Sequence, residues 1–193
     1  MNINWNAEEY KKDFSFVHEY GAALIDLIDF KDGIKILDLG CGNGALTEKL
    51  YDLGANVTGL DSSDEMLSLA RRDYPYINFR KGDAAHFRTE DKFDVVFSNA
   101  VFHWIDDTDS LLESVSDALL PGGSLVCEFG GRGCCEKIHS AIEESFKKRG
   151  MEYRRTFYFP SIGEFTPLLE KHSLMTNFAF SLTERPALTV KTG

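Results

Sequence analysis

The amino-acid sequence predicts an α/β protein with a doubly wound, mostly parallel sheet. Short apolar runs alternate along the chain with amphipathic stretches of about ten or more residues. This alternation is typical of strands that are joined by crossover helices, which is how parallel sheets are built. Several of the apolar runs end in glycine or aspartate. Ligands of such sheets bind beyond the carboxyl ends of the strands, so functional residues are expected there.

The strands are predicted where β-branched and other apolar residues cluster between turn residues. The run over 34–39 is followed by glycines, and the run over 55–60 ends at Asp61. The run over 93–98 is apolar enough to lie in the middle of a sheet. The remaining predicted strands are 76–80 after Pro75, 124–129 after a Pro-Gly-Gly turn, and one near 177–182.

The helices are predicted where apolar residues recur at helical spacing. The first covers 7–29, and Gly54 ends a second one over 44–53. A third runs from Ser62 to about Asp73 and has acidic residues in its first turn. The other predicted helices are 109–119, 134–149 and one after Ser161, where Ser161 and Glu164 have capping-box spacing and Pro167 is an awkward interior residue.

The composition narrows the classes of partner. The chain has 193 residues and a net charge of −10, which disfavours nucleic acid because phosphate binding needs a basic face. No apolar run approaches the roughly 20 residues of a bilayer span, and the first residues do not resemble an export signal. The four cysteines form no CxxC pair, so no metal is expected. We therefore expect reduced thiols in a cytoplasmic protein with no membrane partner.

The most informative motif is DLGCGNG, which begins at Asp38 between a predicted strand and a predicted helix. Glycines at alternate positions remove Cβ atoms where a ligand approaches the backbone, and the helix N-terminus supplies free N–H groups. A dinucleotide such as NAD(P) fits Gly40, Gly42 and Ala45 as a GxGxxA pattern, with Asp61 as the ribose-binding acid. Asp38, however, is unfavourable beside a pyrophosphate and favourable beside a ligand that carries an ammonium group.

Further short motifs accompany this one in a fixed order. They are WNAEEY at 5–10, GLDSS at 59–63 with Met66, GDA at 82–84, NAVFHW at 99–104 and LPGG at 120–123. Together with the glycine motif they resemble the class I S-adenosylmethionine (SAM)-dependent methyltransferases, in the trans-aconitate methyltransferase-like or type 11 group. The resemblance runs from Trp5 to about Glu184. It implies a Rossmann-like fold, with SAM as the cofactor and S-adenosylhomocysteine (SAH) as its product.

The resemblance implies a role for each matching residue. Gly40, Gly42 and Gly44 would let the backbone meet the methionyl and ribose parts of SAM. Asp38 would lie near the methionyl ammonium, and Asp61 would accept both ribose hydroxyls, since a carboxylate has lone pairs for two donors. The other implied contacts are Ser62 and Met66 around the adenine and ribose, Asp83 on the adenine amino group, the Ala84 N–H on the adenine ring, and the Asn99 carbonyl on the ammonium.

Methyl transfer from a sulfonium ion is an in-line displacement, and it needs a base only if the acceptor carries a proton. His103 is the candidate base or acceptor-aligning residue, and a hydrogen-bonded structural histidine is the alternative. Arg132 is the candidate for binding a carboxylate acceptor, and a solvated loop arginine is the alternative. Trp5 and Tyr10 are candidates for a lid over SAM.

We therefore expect one SAM-dependent methyltransferase domain over 1–193, with a helical lid over 1–30, a SAM-binding core over 31–130 and an acceptor-side region over 131–193. Family members run on further, so we expect one of two outcomes. Either the last region is truncated and a final antiparallel strand is missing, or the sheet edge is finished differently, with the strand near 177–182 paired beside the strand over 124–129. The predicted function is methyl transfer to a small-molecule acceptor, with carboxylic acids as one acceptor class. The alternatives are a SAM- or SAH-binding protein with little transferase activity and, less favoured, an NAD(P)-dependent oxidoreductase.

Overall fold

The structure, a computed structural model, describes residues 23–181. Its strands are β1 (Lys35–Leu39), β2 (Asn56–Asp61), β3 (Asn78–Lys81), β4 (Phe93–Asn99) and β5 (Leu119–Glu128). They form one sheet in the order β3-β2-β1-β4-β5, and every pair of neighbours is parallel. The chain order reverses between β1 and β4, so the crevice at their carboxyl ends is the expected ligand site of such a sheet.

The helices connect the strands and follow β5. They are α1 (Ala45–Asp52), α2 (Asp64–Asp73), α3 (Thr108–Ala118), α4 (Glu136–Lys148) and α5 (Ile162–Lys171), with a 3-10 turn over Phe102–Trp104. The Ser63 hydroxyl caps α2 by accepting from the Met66 N–H, and Ser161 and Glu164 form the capping box of α5. Among residues 23–181, no helix combines the length and the apolar composition that a bilayer span requires.

The sheet separates two apolar clusters, because alternate residues of a strand point to opposite faces. Ile36 of β1 packs with α1 and α2 on one face, and Leu37 packs with α3 and α5 on the other. The central strands are buried on both sides, which is why their sequences read as continuous apolar runs rather than as alternating ones. Because both faces of the sheet are packed, the strand ends and the loops that follow them are held in position.

The predicted parallel α/β fold is confirmed, and so is the order of its elements through α5. The strand predicted near 177–182 is wrong over 177–181, which form no strand. Phe178 and Phe180 alternate as strand residues do, but they are 67% and 57% exposed, so no sheet face covers them. Residue 182 lies outside the described residues.

Of the other boundaries, that of β5 and that of the first predicted helix need comment. β5 begins at Leu119, earlier than predicted, because Leu119 pairs with Phe93 before an irregular stretch restores the register at Ser124. Gly122, whose φ is 83°, lies in that stretch, so the Pro-Gly-Gly turn is built into the strand. Of the helix predicted over 7–29, residues 23–25 are helical and a turn follows, while 7–22 lie outside the described residues.

Candidate active site

The loop from β1 to α1 is a left-handed glycine turn. Gly40, Gly42 and Gly44 have φ values of 80°, 54° and 83°, a region that other residues rarely adopt. A Cβ on Gly40 would lie 2.2 Å from Cγ2 of Val101, and one on Gly44 would lie 2.8 Å from Cζ of Phe79. A Cβ on Gly42 would meet nothing within 4 Å. Gly40 and Gly44 therefore permit close packing, whereas Gly42 faces open space that a ligand can occupy.

Asp61, the last residue of β2, holds this loop in place. Its Oδ2 accepts from the Gly42 N–H at 2.9 Å, and its Oδ1 accepts from the Ser63 N–H at 2.8 Å. Burial raises the pKa of Asp61, and the N–H groups of Ser63, Gly42 and Ser62 oppose that rise. An ionised carboxylate has about four lone-pair sites, so the two strong hydrogen bonds leave room for two more donors.

Asp38 lies beneath the same loop and is almost completely buried, with 2% of its surface exposed. The Thr47 hydroxyl of α1 donates to its Oδ2 at 2.6 Å. Burial raises the pKa of Asp38 to about 7; the Thr47 hydrogen bond opposes this rise and the charge of Asp61 adds to it. A nearby cationic group would lower the cost of ionising this carboxyl, so the position favours a ligand with a positive charge.

The residues predicted after β2 and β3 differ in their surroundings. Ser62 is exposed, whereas Met66 is buried although it belongs to neither apolar cluster. Lys81 of β3 lies opposite Asp61 in the sheet, which places Asp83 just beyond the end of β3. Asp83 is exposed, and its Oδ1 accepts from the Ala85 N–H at 2.9 Å, so one carboxylate oxygen keeps its full acceptor capacity.

A cavity of about 290 Å³ opens beside Asp83. Leu60 of β2 and Phe93 of β4 form part of its apolar wall. Its polar lining includes Asp83 and His86 together with three basic side chains, those of Arg80, Lys81 and Arg88. Ala84, the neighbour of Asp83, is buried at 8% exposure. Because Phe93 is the first residue of β4, the cavity extends along the sheet toward the amino ends of the strands rather than lying in the crevice at their carboxyl ends.

The carboxyl end of β4 continues into a strained turn. Asn99 pairs with Glu128 of β5, and the next residue, Ala100, has a φ of 59°. Its N–H donates to the Glu128 carbonyl at 2.8 Å, which holds the turn against β5. Val101 then packs on Gly40, so the loops after β1 and β4 are in contact. Strained backbone of this kind is typical of functional sites.

His103 lies in the 3-10 turn that follows and faces the segment after β5. Its Nδ1 accepts from the Gly130 N–H at 3.2 Å. Burial lowers the pKa of His103 to about 4, so the ring is neutral at pH 7. Since the hydrogen bond occupies Nδ1 as an acceptor, the proton of the neutral ring belongs on Nε2. The imidazole therefore offers a hydrogen-bond donor, and its one acceptor nitrogen is already occupied.

Aromatic side chains surround His103. The ring centroids of Trp104, Phe159 and Phe157 lie 5.4, 5.7 and 6.2 Å from that of His103. Arg132, which follows β5 on this side, forms an ion pair with Glu164 of α5 although its side chain is 67% exposed. The candidate carboxylate-binding arginine is therefore already held by a carboxylate of the protein.

The structure thus brings Asp38, the glycine loop and Asp61 together, and it joins them through Val101 to the turn that carries His103. Trp5 and Tyr10 lie outside the described residues. Three residues that shape the site had no predicted role: Thr47, Val101 and Gly130. Thr47 had a usable signal, because a hydroxyl between Leu46 and Leu50 on the buried face of a helix needs a polar partner.

Comparison with known proteins identifies the family. The family of methyltransferase domains matches residues 37–127. An uncharacterized methyltransferase of Schizosaccharomyces pombe is 29% identical over 97% of this chain and 76% of its own length. Trans-aconitate 2-methyltransferase of Agrobacterium fabrum is 35% identical over 73% of this chain. The match covers 56% of that enzyme, so the chain spans about half the length of this curated relative.

One similar protein of known structure contains bound S-adenosyl-L-methionine. Phosphoethanolamine N-methyltransferase 2 of Haemonchus contortus, in complex with S-adenosyl-L-methionine, superposes with a TM-score of 0.64 and 25% identity, over 80% of this chain and 36% of that one. These matches set aside an NAD(P)-dependent oxidoreductase. With the parallel sheet and the glycine loop after β1, they show that the chain belongs to the class I methyltransferases, the enzyme family whose methyl donor is SAM.

Proposed function

We propose that the protein transfers the methyl group of SAM to a small-molecule acceptor and that it binds SAM in the crevice at the ends of β1, β2 and β4. The observation that carries this proposal is the open backbone at Gly42, whose N–H donates to the partly buried Asp61 carboxylate close to the buried carboxyl of Asp38. Asp38 is nearly inaccessible, with a pKa raised to about 7, and Asp61 already accepts from the Gly42 N–H. One acid suits an ammonium group and the other suits hydroxyl donors.

The proposed contacts follow the course of the crevice. Asp38, together with the Asn99 carbonyl, faces the methionyl ammonium, and Gly40, Gly42 and Gly44 line the methionyl and ribose parts. Asp61 takes both ribose hydroxyls with the lone pairs that Gly42 and Ser63 leave over. The proposed adenine contacts are Ser62, Met66, the Ala84 N–H and the Asp83 oxygen that does not bind Ala85.

The acceptor lies between SAM and the aromatic side chains around His103 in this proposal. Because Nδ1 of His103 is occupied and Nε2 carries the proton, His103 aligns the acceptor as a hydrogen-bond donor. A base with a pKa near 4 would also be a weak acceptor of a proton at neutral pH. Acceptors whose nucleophile is already deprotonated, such as carboxylates, need no base.

Two named relatives support carboxylic acids as the acceptor class. One is the trans-aconitate 2-methyltransferase, and another, malonyl-[acyl-carrier protein] O-methyltransferase of Bacillus cytotoxicus, is 32% identical over 62% of this chain. A carboxylate acceptor that used Arg132 would have to share its guanidinium with Glu164. We therefore propose that His103, rather than Arg132, makes the first polar contact with the acceptor.

The first test is calorimetric titration of the full chain with SAM, SAH and NADH. We expect SAM and SAH to bind and NADH to give no heat of binding. Incubation with labelled SAM and a set of small carboxylic acids then separates an active transferase from a SAM-binding protein. Absence of SAM and SAH binding by a folded sample would contradict the proposed site, and SAM binding without transfer to any acceptor would favour the binding protein.

Gly42→Ala tests the position of SAM. The left-handed backbone should lower the free energy of unfolding by about 1–2 kcal/mol, and the new methyl group enters the space assigned to SAM. We expect SAM affinity to fall by at least about tenfold, or about 1.4 kcal/mol. Gly54→Ala is the matched control, since Gly54 also has a positive φ, of 91°, and open space around its Cβ position but lies at the other end of α1. Equal SAM affinity in the two variants would contradict the placement.

His103→Ala tests the acceptor-aligning role. The variant should bind SAM with unchanged affinity, because His103 contacts the segment after β5 rather than the glycine loop. Turnover should fall by about tenfold to a hundredfold, the loss expected when one hydrogen bond to a charged acceptor is removed. The wild-type rate should show no titration of His103 between pH 5 and 8, because its pKa is lowered to about 4. A rate that follows a group of pKa near 6.5 and loses that dependence in His103→Ala would instead identify a free base.

A further inference from the structure

Two adjacent cysteines lie on the acceptor side of the molecule. Cys134 and Cys135 follow β5 directly before α4, and their Sγ atoms are 3.8 Å apart. Both are free thiols, since a disulfide would hold the sulfurs about 2.05 Å apart. Cys135 is exposed and has a left-handed backbone with a φ of 55°. The two sulfurs are thus accessible neighbours within one turn of the chain.

This separation matches two sulfur ligands on one atom. Two thiolates bonded to a common centre at about 2.3 Å lie about 3.3–3.8 Å apart for bond angles between a right angle and the tetrahedral angle, so the observed separation lies at the upper end of this range. Thiolates select soft metals and metalloids over hard cations. Within the part of the chain that the structure describes, no group of three or more His, Cys, Asp or Glu side chains is placed to hold a metal ion. The pair therefore suits a centre that is satisfied by two protein ligands, rather than a four-coordinate zinc ion.

We propose that Cys134 and Cys135 form a two-thiolate binding site for a soft, thiophilic metal or metalloid centre of low coordination number. A trivalent organoarsenical is the simplest member of this class. Its reaction with the pair balances without an oxidant. The As=O bond and two S–H bonds break, two As–S bonds form and one water leaves, while arsenic and sulfur keep their oxidation states.

The site lies next to the proposed acceptor-binding region. The Cys134 Sγ is 3.2 Å from the position that a Cβ on Gly130 would take, and the Gly130 N–H donates to Nδ1 of His103. A group bound to the two sulfurs therefore lies beside the hydrogen bond that holds the imidazole. Any effect of this bound group on methyl transfer rests on the proposed function, whereas the binding of the group to the two thiols does not.

The probe is phenylarsine oxide, added to the full chain and followed by intact-protein mass spectrometry. We expect one phenylarsenic group per chain, which excess glutathione leaves in place and a 1,2-dithiol removes, because two sulfurs of one protein hold it. Cys134→Ser and Cys135→Ser should each lose this resistance to glutathione. Cys127→Ser and Cys41→Ser, which alter the other two free thiols, should keep it. Circular dichroism checks that each variant is folded.

Several results would overturn the proposal. They are no glutathione-resistant adduct on the wild type, such an adduct on either single variant of the pair, or its loss in Cys127→Ser. The ¹⁵N resonances of the His103 imidazole should shift in the adduct while those of His172 stay, and unchanged His103 resonances would refute the placement beside the acceptor region. SAM titration of the same samples tests the proposed function separately, because the adduct is measured without SAM or an acceptor.

Discussion

Asp61→Ala is expected to weaken SAM binding by at least about a hundredfold, which corresponds to about 2.7 kcal/mol. The variant removes the acceptor proposed for two ribose hydroxyls, and hydrogen bonds to a charged group contribute about 1.5–3 kcal/mol each. It also leaves the N–H groups of Gly42 and Ser63 without their acceptor, so the loop that lines the site loses its fixed position. The measurement is calorimetric titration with SAM and SAH.

Two further variants separate the ribose contact from a loss of folding. Asp61→Asn keeps the shape of the side chain, but its amide nitrogen would face one of the two N–H donors, so we expect a similar loss of affinity. Asp64→Ala is the matched control, because Asp64 follows three residues later, is exposed and forms an ion pair with Lys81 outside the loop. Its SAM affinity should stay within about twofold of wild type, as is usual for an exposed ion pair. If the SAM affinity of Asp61→Ala stays within about threefold of wild type, the ribose role is refuted. Such a change corresponds to less than half the free energy of one hydrogen bond to a charged group.

Asp38 should make SAM affinity depend on pH. Its pKa is raised to about 7 in the free protein, and the ammonium group of SAM favours the ionised carboxylate. SAM binding should therefore release a proton at and below pH 7, and affinity should fall by about tenfold between pH 8 and pH 6, since one pKa unit corresponds to about 1.4 kcal/mol. Calorimetry in buffers of different ionisation enthalpy measures the released proton directly. Affinity that is constant over this range would show that Asp38 does not face the ammonium.

The Asp38→Asn variant should bind SAM more weakly than wild type but should be more stable toward unfolding at pH 8. Since the pKa is raised from 3.8 to about 7, the folded state binds more protons than the unfolded state between these values, so stability falls as pH rises through this window. The ionised carboxyl then costs up to about 4 kcal/mol at pH 8. Asparagine keeps an oxygen for the Thr47 hydroxyl and carries no charge, so its melting temperature at pH 8 should exceed that of wild type.

Thr47→Val completes this test. It removes the hydrogen bond that lowers the pKa of Asp38, so the midpoint of the pH dependence of SAM affinity should move upward.

At pH 8 the Asp38→Asn variant should bind SAM at least about tenfold more weakly than wild type, as expected when a charge-assisted contact is lost. If the melting temperature of Asp38→Asn at pH 8 is equal to or below that of wild type, the free-energy cost assigned to the buried Asp38 charge is contradicted.

The sequence was sufficient to predict the parallel sheet, because its signals are local. The apolar runs, the glycines and Asp61 at the strand ends, and the capping box at Ser161 all act within a few residues of the element that they define. The strand near 177–182 failed for the opposite reason. A period-2 pattern shows that one face could be buried, but burial depends on a neighbouring strand that local sequence does not specify.

The candidate site likewise contains residues that local patterns predict and residues whose roles depend on contacts between distant parts of the chain. The glycines of the DLGCGNG motif could be found from spacing alone, whereas the contact of Gly40 with Val101 joins residues that are far apart in the chain. His103 was recognised as a candidate, but its role turned on the Gly130 N–H, which occupies Nδ1. The state of a titratable side chain is set by its burial and its partners in three dimensions, and composition or spacing does not report either.

The position of β5 in the sheet affects how the two halves of the site respond to local opening. β1 and β4 each have a partner on both sides, whereas within residues 23–181 β5 pairs with β4 alone. Releasing β5 breaks one ladder of hydrogen bonds, so amide hydrogens there should exchange sooner than those of β1. Gly130 and the thiol pair follow this peripheral strand, while the glycine loop follows the innermost one. The region assigned to the acceptor can therefore loosen, or be remodelled by mutation, while the glycine loop after β1 stays folded.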